Sequence, residues 1–394
     1  MQITLFVLGF VLFVGLIVIH EYGHYRAARR GGVKVEEFGI GFPPRAWRKK
    51  LKSGMILSLN WLPIGGFVRL KGEHDADKTP GSFGAASLKV KTKIMLAGVT
   101  MNAIAGLVIL TGLAVFGMPK LLDKSVAGED QFTVASDTKV LHSFVVIGQV
   151  LPDSPAAKAG LNSRDYIRSI SNGRETRAIK TIGDLHKATR DFAGQKVQLE
   201  IQNSGKTGHK SAQLLSKSAV EASQKTDEPK GHLGVLPYDL QINRSTWSAP
   251  IVAAGFTVQL IKLTFVGIGH SLAGLGSAIA GLVTGNSTAR VNGQAKASAQ
   301  VGGPVAIMAV LWGSGELGIN FILMIIAVIS LTLALMNILP IPALDGGRLF
   351  VTWLFRLLRQ PLSSATEDKI HGTGVAILLG LFALITIVDV KRFF

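Results

Sequence analysis

Long stretches without a charged residue constrain this chain more than any other feature. Four of them are rich in Leu, Ile, Val and Phe, and they cover residues 3–19, 94–119, 317–344 and 372–388. About 20 apolar residues in a helix cross the roughly 30 Å hydrocarbon core of a bilayer, and a helix satisfies its own backbone there. The sequence therefore predicts a multi-spanning α-helical membrane protein with about four transmembrane helices.

A fifth uncharged stretch, residues 263–289, is rich in Gly, Ser and Ala instead of Leu and Ile. Its low apolar density favours a helix that lies on the membrane surface or packs against protein. We therefore predict amphipathic or surface helices over residues 245–312, and the pattern leaves open whether residues 263–289 enter the bilayer.

Positive charge is concentrated between the first two apolar stretches. The chain carries 42 Lys and Arg against 25 Asp and Glu, a net charge of +17, and residues 26–93 hold 15 of the basic residues and five of the acidic ones. Basic loops stay in the cytoplasm, so this loop is predicted to be cytoplasmic and residues 120–244 extracytoplasmic. The charge therefore indicates orientation in a lipid bilayer and no nucleic-acid partner. The chain has no cysteine, which excludes disulfides and thiolate ligands.

The end of the first apolar stretch carries the pattern His20-Glu21-Tyr22-Gly23-His24. In a helix, residues four apart share a face, so both imidazoles can bind one Zn²⁺ while Glu21 acts on a water as a general base. The alternative is a pair of interfacial histidines that cap the helix. An acid and two histidines at a membrane edge are costly unless they have a function, which favours the zinc site.

A catalytic zinc with two histidines needs a further protein ligand, and Asp345 is the best candidate. It lies in the segment Asn337-Ile-Leu-Pro-Ile-Pro-Ala-Leu-Asp345-Gly-Gly, where two prolines end the third apolar stretch and two glycines allow a sharp turn. The alternative is a carboxylate that only caps a turn. If Asp345 meets the histidines, residues 263–289 cannot cross the membrane alone, because Asp345 would then emerge on the opposite face.

The early HExxH pattern, the late NxxPxPxLDGG pattern and the polar region between them resemble the site-2 protease family of intramembrane zinc metalloproteases. The bacterial branch that cleaves anti-sigma factors and signal-peptide remnants is most similar, and the resemblance covers nearly the whole chain. It implies that His20, His24 and Asp345 bind Zn²⁺ and that Glu21 is the general base. It also implies a multi-pass protein of the bacterial inner membrane, with its active site near the cytoplasmic side.

Two amides near these motifs are candidates for substrate binding. The segment Gly98-Val-Thr-Met-Asn102 resembles the Gly-Pro-x-x-Asn pattern of the family without its proline, and Asn337 opens the late motif. An asparagine in an apolar helix is costly without a partner. Asn102 therefore either holds the substrate backbone or makes a hydrogen bond between helices.

The cytoplasmic loop contains apolar segments that are too short to span a membrane. Residues 38–44 and 55–68 are broken by Gly and Pro, and they resemble the re-entrant β-hairpins of the family. Such a hairpin can pair with an extended substrate as an added strand, which makes Gly65, Gly66 and Phe67 candidate substrate-binding residues. The alternative is a peripheral hairpin that only anchors the loop.

The extracytoplasmic region resembles an inserted PDZ-like α+β domain over about residues 140–240. Alternating Ile and Val over residues 145–170 fit a strand–helix–strand start. The segment Gly231-His-Leu233-Gly234-Val235 resembles the loop with which such domains bind a peptide end, and its late position indicates a permuted strand order. The alternative for this loop is an ordinary glycine turn.

These patterns predict an enzyme that hydrolyses a peptide bond within or near the transmembrane segment of single-spanning membrane proteins, with the PDZ-like domain gating access. One alternative is a zinc endopeptidase that acts on prenylated or soluble tails. Another is a non-enzymatic PDZ scaffold or metal transporter with a structural zinc site. The predicted segments are a first transmembrane helix (1–30), a cytoplasmic loop (31–93), a second transmembrane helix (94–119), the extracytoplasmic region (120–244), surface helices (245–312), a third transmembrane helix (317–350) and a loop with the fourth (351–394).

Overall fold

The structure is a computed structural model that describes residues 2–203, 206–224, 229–288, 292 and 304–393. It divides into two compact units. The first contains Met1–Gly112 and Pro250–Phe394, and the second contains Leu113–Ala249. Part of the predicted surface-helix segment, residues 289–291 and 293–303, lies outside the described residues.

Long helices make up most of the first unit. Each of the four predicted apolar stretches forms a helix over most of its length, because such a stretch satisfies its own backbone only in that way. The helices are α1 (Gln2–Arg30), α2 (Leu88–Phe116), α7 (Ala249–Thr284), α8 (Pro304–Leu317), α9 (Ile319–Ile338), α10 (Asp345–Leu357) and α11 (Ser364–Phe393).

Five helices in the described residues are long and apolar enough to span a bilayer, as judged by length and composition. They are α1, α2, α7, α9 and α11. The described residues thus contain one candidate more than the about four transmembrane helices that were predicted. The additional helix is α7, with the candidate span Ala249–Gly281. The uncharged stretch considered in the sequence analysis began only at residue 263, directly after Lys262, whereas the helix continues through this lysine. A lysine stem is itself apolar and carries its charge towards water, so one lysine does not end an apolar helix.

The contacts of α1 fix the directions of its neighbours. Gly315 of α8 lies beside Gln2, and Leu311 of the same helix lies beside Gly9, so α8 runs antiparallel to α1. On α9, Ile322 packs against Gly9, and the C-terminal part of α9 lines the cavity beside the other end of α1. Helix α9 therefore runs parallel to α1. The sequence argument required that residues 263–289 not cross alone, and an antiparallel α8 before a parallel α9 is compatible with that requirement.

The cytoplasmic loop forms strands β1 (Val35–Lys50) and β2 (Ile56–Leu70). Residues 37–40 of β1 pair with residues 66–69 of β2 on one side and with residues 56–59 on the other. Residues 45–50 pair with residues 56–60. The two long strands therefore form four segments side by side, in the order 66–70, 35–40, 56–60 and 45–50, and residues 66–70 form one edge. The predicted β-structure is present here, and its entry into the membrane stays a prediction.

The second unit is built on one antiparallel sheet, with the order β3-β9-β4-β5-β7-β8 and β6 beside β5. The last strand of the chain thus lies inside the sheet, as the predicted permuted order requires. Ile170, Leu185 and Leu199 are buried in its core. The strands are β3 (Met118–Pro119), β4 (Lys139–Val150), β5 (Tyr166–Ser171), β6 (Thr176–Ala178), β7 (Lys196–Asn203), β8 (Lys206–Gln213) and β9 (Val235–Arg244), and the helices are α3 (Lys124–Ala127), α4 (Pro155–Lys158), α5 (Ile182–Asp191) and α6 (Lys217–Ser223).

A glycine pair on α1 tests the packing of the first two helices. At Gly23 an added Cβ atom would lie 2.6 Å from the carbonyl oxygen of Ala97 on α2. Because backbone cannot yield as a side chain does, Gly23→Ala is expected to destabilise the protein by about 1–3 kcal/mol. In the control Gly15→Ala nothing lies within 4 Å of the added atom, so no loss is expected. Thermal unfolding in detergent measures both variants, and equal midpoints would contradict the contact.

Candidate metal centre

Helix α1 carries His20, Glu21 and His24 near its C-terminal end. The Nε2 atoms of the two imidazoles lie 3.1 Å apart, so both rings are on one face of the helix. The spacing of the sequence pattern thus produces the shared face that was predicted from it.

Asp345 reaches the same place from the end of α9. Helix α9 ends at Ile338, and α10 begins at Asp345 after a short turn. The left-handed residue of that turn is Ala343, with φ 84°. The two glycines after Asp345 were predicted to make the turn, and this was wrong. They lie in the first turn of α10, where a Cβ atom at Gly347 would be 2.0 Å from the carbonyl oxygen of Ile341.

Three ligand atoms converge on one point. Asp345 Oδ2 lies 3.1 Å from Nε2 of His20 and 3.1 Å from Nε2 of His24, and the two nitrogens are equally far apart. The ligand atoms of a tetrahedral zinc, at about 2.0–2.2 Å from the metal, lie about 3.3 Å from one another. The donor set and its spacing therefore fit Zn²⁺. Within the described part of the chain, no other group of three or more such residues is arranged to hold a metal.

The hydrogen bonds around the cluster fit a metal as well. His24 Nδ1 donates to the carbonyl oxygen of Ile94 at 2.8 Å, which leaves the lone pair of Nε2 directed towards Asp345. Asp345 Oδ2 is buried and has no hydrogen-bond partner of good geometry, although both imidazoles lie 3.1 Å away. A buried carboxylate oxygen without a donor is costly, and a cation between the three atoms would satisfy it.

Glu21 lies between this cluster and strand β2. The backbone N–H of Val68 faces its carboxylate. Glu21 shares a cavity of about 580 Å³ with His20, His24 and Asp345, and residues 66–70 of β2 form part of its wall. A carboxylate beside the ligand cluster, facing a cavity, is placed to accept a proton from a water.

A smaller cavity of about 330 Å³ borders the same cluster. Four of the predicted substrate-binding residues line it together with His20, Glu21 and Asp345, and these four are Gly65, Gly66, Asn102 and Asn337. Phe67 lines the larger cavity. The structure therefore brings every predicted site residue of the first unit to one place.

The remaining predicted residues, Leu233, Gly234 and Val235, lie in the second unit at the start of β9. Leu233 is buried, and Gly234 has a left-handed φ of 74° and accepts a hydrogen bond from the backbone of Leu151. This loop is a turn that enters a strand, as predicted, and its binding of a peptide stays a prediction.

Several residues of the site were not predicted. Gly98 on α2 faces both histidines, and an added Cβ atom would lie 2.5 Å from His24 Nε2. The signals for it are its place at the start of the segment Gly98-Val-Thr-Met-Asn102 and its position one helical turn before Asn102. The mouth of the larger cavity is lined by charged residues that carry no distinctive pattern, namely Arg69, Glu73, His74 and Arg348.

Ion pairs hold the mouth of the larger cavity together. His74 lies 2.8 Å from the Asp368 carboxylate, whose hydrogen bond raises the pKa of His74. Arg348 donates to the carbonyl oxygen of Glu73 at 3.2 Å. The loop after β2 is thus tied to α10 and α11 along the polar part of the cavity lining.

A His–His–Asp cluster with an adjacent carboxylate, held between membrane-type helices, fits a hydrolytic zinc centre in a multi-pass membrane protein. The model of peptidase family M50 matches residues 8–381, and the chain belongs to this family. This confirms the resemblance to site-2 proteases and the zinc cofactor. The match also favours a protease over the two non-enzymatic alternatives, a PDZ scaffold and a metal transporter.

Curated relatives match nearly the whole chain. It is similar to a Clostridium perfringens protein named as a zinc metalloprotease, with 28% identity over 391 residues and 98% of each chain covered. It is also similar to the regulator of sigma-E protease RseP of Salmonella typhimurium, with 24% identity over 470 residues and 98% of each chain covered.

Gly98 gives a direct test of the cluster. The methyl group of Gly98→Ala would overlap both imidazoles, so the variant is expected to bind zinc at least about tenfold more weakly, as a displaced ligand does. Gly112→Ala is the matched control on the same helix, because nothing lies within 4 Å of its added atom. Zinc affinity is measured by competition with a chelator. Equal affinities for the two variants would show that the histidines are not ligands.

Proposed function

We propose that this protease hydrolyses a peptide bond within or near the transmembrane segment of single-spanning membrane proteins. The observation that carries the proposal is the convergence of His20, His24 and Asp345 at the ends of apolar helices, with Glu21 facing the adjoining cavity. A zinc ion held by these residues supplies a Lewis acid that activates water at neutral pH. With such an ion bound, Glu21 would take the proton of the attacking water and pass it to the leaving amine.

The site is proposed to face the cytoplasmic side of a bacterial inner membrane. The support is the basic loop that follows α1, because 15 Lys and Arg against five acids keep residues 26–93 in the cytoplasm. The histidines lie at the end of α1 that enters this loop. Substrates are therefore cut near the cytoplasmic end of their helix, and the likeness to a regulator of sigma-E protease favours membrane-anchored regulators such as anti-sigma factors.

The substrate is proposed to bind as an added strand on β2, because a helical peptide bond is shielded from water until it is extended. Support comes from the alternation of backbone groups along this edge. Residues 66–69 pair with β1 without interruption, and the N–H groups of Val68 and Leu70 point away from it, to Glu21 and Glu73. The same alternation directs the N–H and C=O of Gly66 to the free edge.

Asn337 is proposed to donate a hydrogen bond to the carbonyl oxygen of the scissile bond. It is half-buried in the wall of the smaller cavity, beside Glu21 and Gly66. An amide fixed on a helix stabilises the negative charge that develops on that oxygen during attack.

The second unit is proposed to gate access as a PDZ-like filter on the extracytoplasmic side, either by size or by binding a newly formed peptide end at residues 233–235. Support comes from β9, which pairs with β4 on one side and meets β3 only at Ile242 and Asn243 on the other. Helix α5 lies alongside, with Ile182 N–H donating to Asp239 at 2.9 Å. A peptide strand fits such an edge.

Removing the proposed base should separate chemistry from metal binding. Glu21→Gln is expected to retain zinc but to abolish cleavage of a single-spanning reporter, because an amide accepts no proton at neutral pH. Asp345→Asn is expected to weaken both zinc binding and cleavage. Purified protein in detergent is assayed for metal content and reporter cleavage. Cleavage by Glu21→Gln would overturn the mechanism. If the variant is inactive, it can also be used to trap native substrates in membranes.

Asn337 gives an independent test of substrate stabilisation. Asn337→Leu is expected to lower the cleavage rate by about 10²–10³, the usual cost of one lost donor to the developing charge. Zinc affinity should stay at the level of the unchanged protein, because Asn337 is not one of the clustered ligands. An unchanged rate would remove Asn337 from the mechanism, and a matching loss of zinc would assign it to the metal site.

A further inference from the structure

Asn102 of α2 is buried beside a proposed zinc ligand. Its side-chain Nδ2 lies 3.4 Å from Nδ1 of His20, and the residue is only 1% exposed. Its Oδ1 is also buried and has no hydrogen-bond partner. An unpartnered carbonyl oxygen inside apolar helices costs free energy, so this side chain needs an explanation other than packing.

The chemistry of a histidine ligand supplies one. A neutral imidazole has one N–H, and if Nε2 binds the metal the proton is on Nδ1, where it needs an acceptor. For His24 the acceptor is the carbonyl oxygen of Ile94 at 2.8 Å. For His20 the group at Nδ1 is the Asn102 amide. The two ends of an amide have nearly the same shape, and a half-turn of its plane brings Oδ1 to the place of Nδ2.

We propose that Asn102 is a positioning residue for the metal: its Oδ1 accepts a hydrogen bond from His20 Nδ1 and fixes the tautomer that presents Nε2 to zinc. This assigns the orphaned oxygen and the metal ligand to one interaction. It replaces the substrate contact predicted for Asn102 from the sequence. His24 is then oriented by a backbone carbonyl and His20 by the side chain of Asn102. Only the Asn102 side chain can be removed by a substitution.

The position of Asn102 is itself fixed from a third helix. Ser330 of α9 is fully buried and donates from Oγ to the backbone carbonyl of Asn102 at 2.8 Å. Gly98, one helical turn before Asn102, faces both histidines. Gly98 and Asn102 therefore lie on the same side of α2, the side that meets the cluster. The amide is therefore held against His20 by the helix that also delivers Asp345.

The inference rests on the proposed role of His20, and three variants separate the two. Asn102→Leu keeps a similar volume but removes the acceptor, and it is expected to weaken zinc binding about 10–100-fold. Asn102→Asp keeps an acceptor oxygen, and its affinity is expected to return to within a few-fold of the unchanged protein. His20→Ala is expected to lose zinc altogether. All are measured on the full-length purified protein by competition between zinc and a chelator.

A fourth variant controls for a merely structural role. Gly106→Ala disturbs the packing of the same two helices one turn beyond Asn102, because its added Cβ atom would lie 2.6 Å from Leu331 of α9, and it is expected to lower the unfolding temperature while zinc affinity is kept. If Asn102→Leu binds zinc as the unchanged protein does and only KM rises, Asn102 is a substrate contact and the inference is wrong. If Asn102→Asp is as weak as Asn102→Leu, the acceptor is not the cause and the inference is equally wrong. If His20→Ala keeps its zinc, the proposed metal site itself fails.

Discussion

Everything else in this structure depends on one arrangement, the meeting of two imidazoles and a carboxylate between apolar helices. Such groups are expensive inside a membrane protein unless they share a partner. Three helices cooperate to place them: α1 carries the histidines, α9 leads to Asp345, and α2 packs so closely that Gly98 faces the rings. The parallel course of α1 and α9 is therefore a requirement of the site, and α8 packs antiparallel to α1.

Much of this arrangement was predictable from the sequence, because its signals are local. The HExxH spacing determines a shared helix face, and the prolines after Asn337 determine where a helix stops. Relations between helices were not predictable in the same way. The contact of Gly98 with the histidines depends on an interhelical distance, and the charged mouth of the cavity combines a loop with α10 and α11. The candidate span α7 was set aside because residues 263–289 are rich in Gly, Ser and Ala, and the more apolar residues before Lys262, which belong to the same helix, were not considered with them.

The β-structure of the first unit is part of the same core as the site. Phe38 and Leu70 of the sheet are buried in one cluster with Ala28 of α1 and Ile94 of α2, and Ile94 is also the residue whose carbonyl orients His24. A shift of the sheet would therefore disturb His24, and a shift of His24 would disturb the sheet. The proposed strand pairing and the proposed hydrolysis would therefore share one hydrophobic core.

The edge of β2 has a consequence for how far a substrate must unfold. The N–H group of Leu70 is already bound by Glu73 and the N–H group of Val68 faces Glu21, which leaves Gly66 as the next position along this edge, beside the smaller cavity. In the proposed complex, pairing beside the cluster would therefore be limited to a very short stretch of chain. A transmembrane helix would have to open by only about one turn, 3.6 residues, to present a bond there. Under that proposal, helix stability near the cut, more than side-chain identity, would decide which membrane proteins are cleaved.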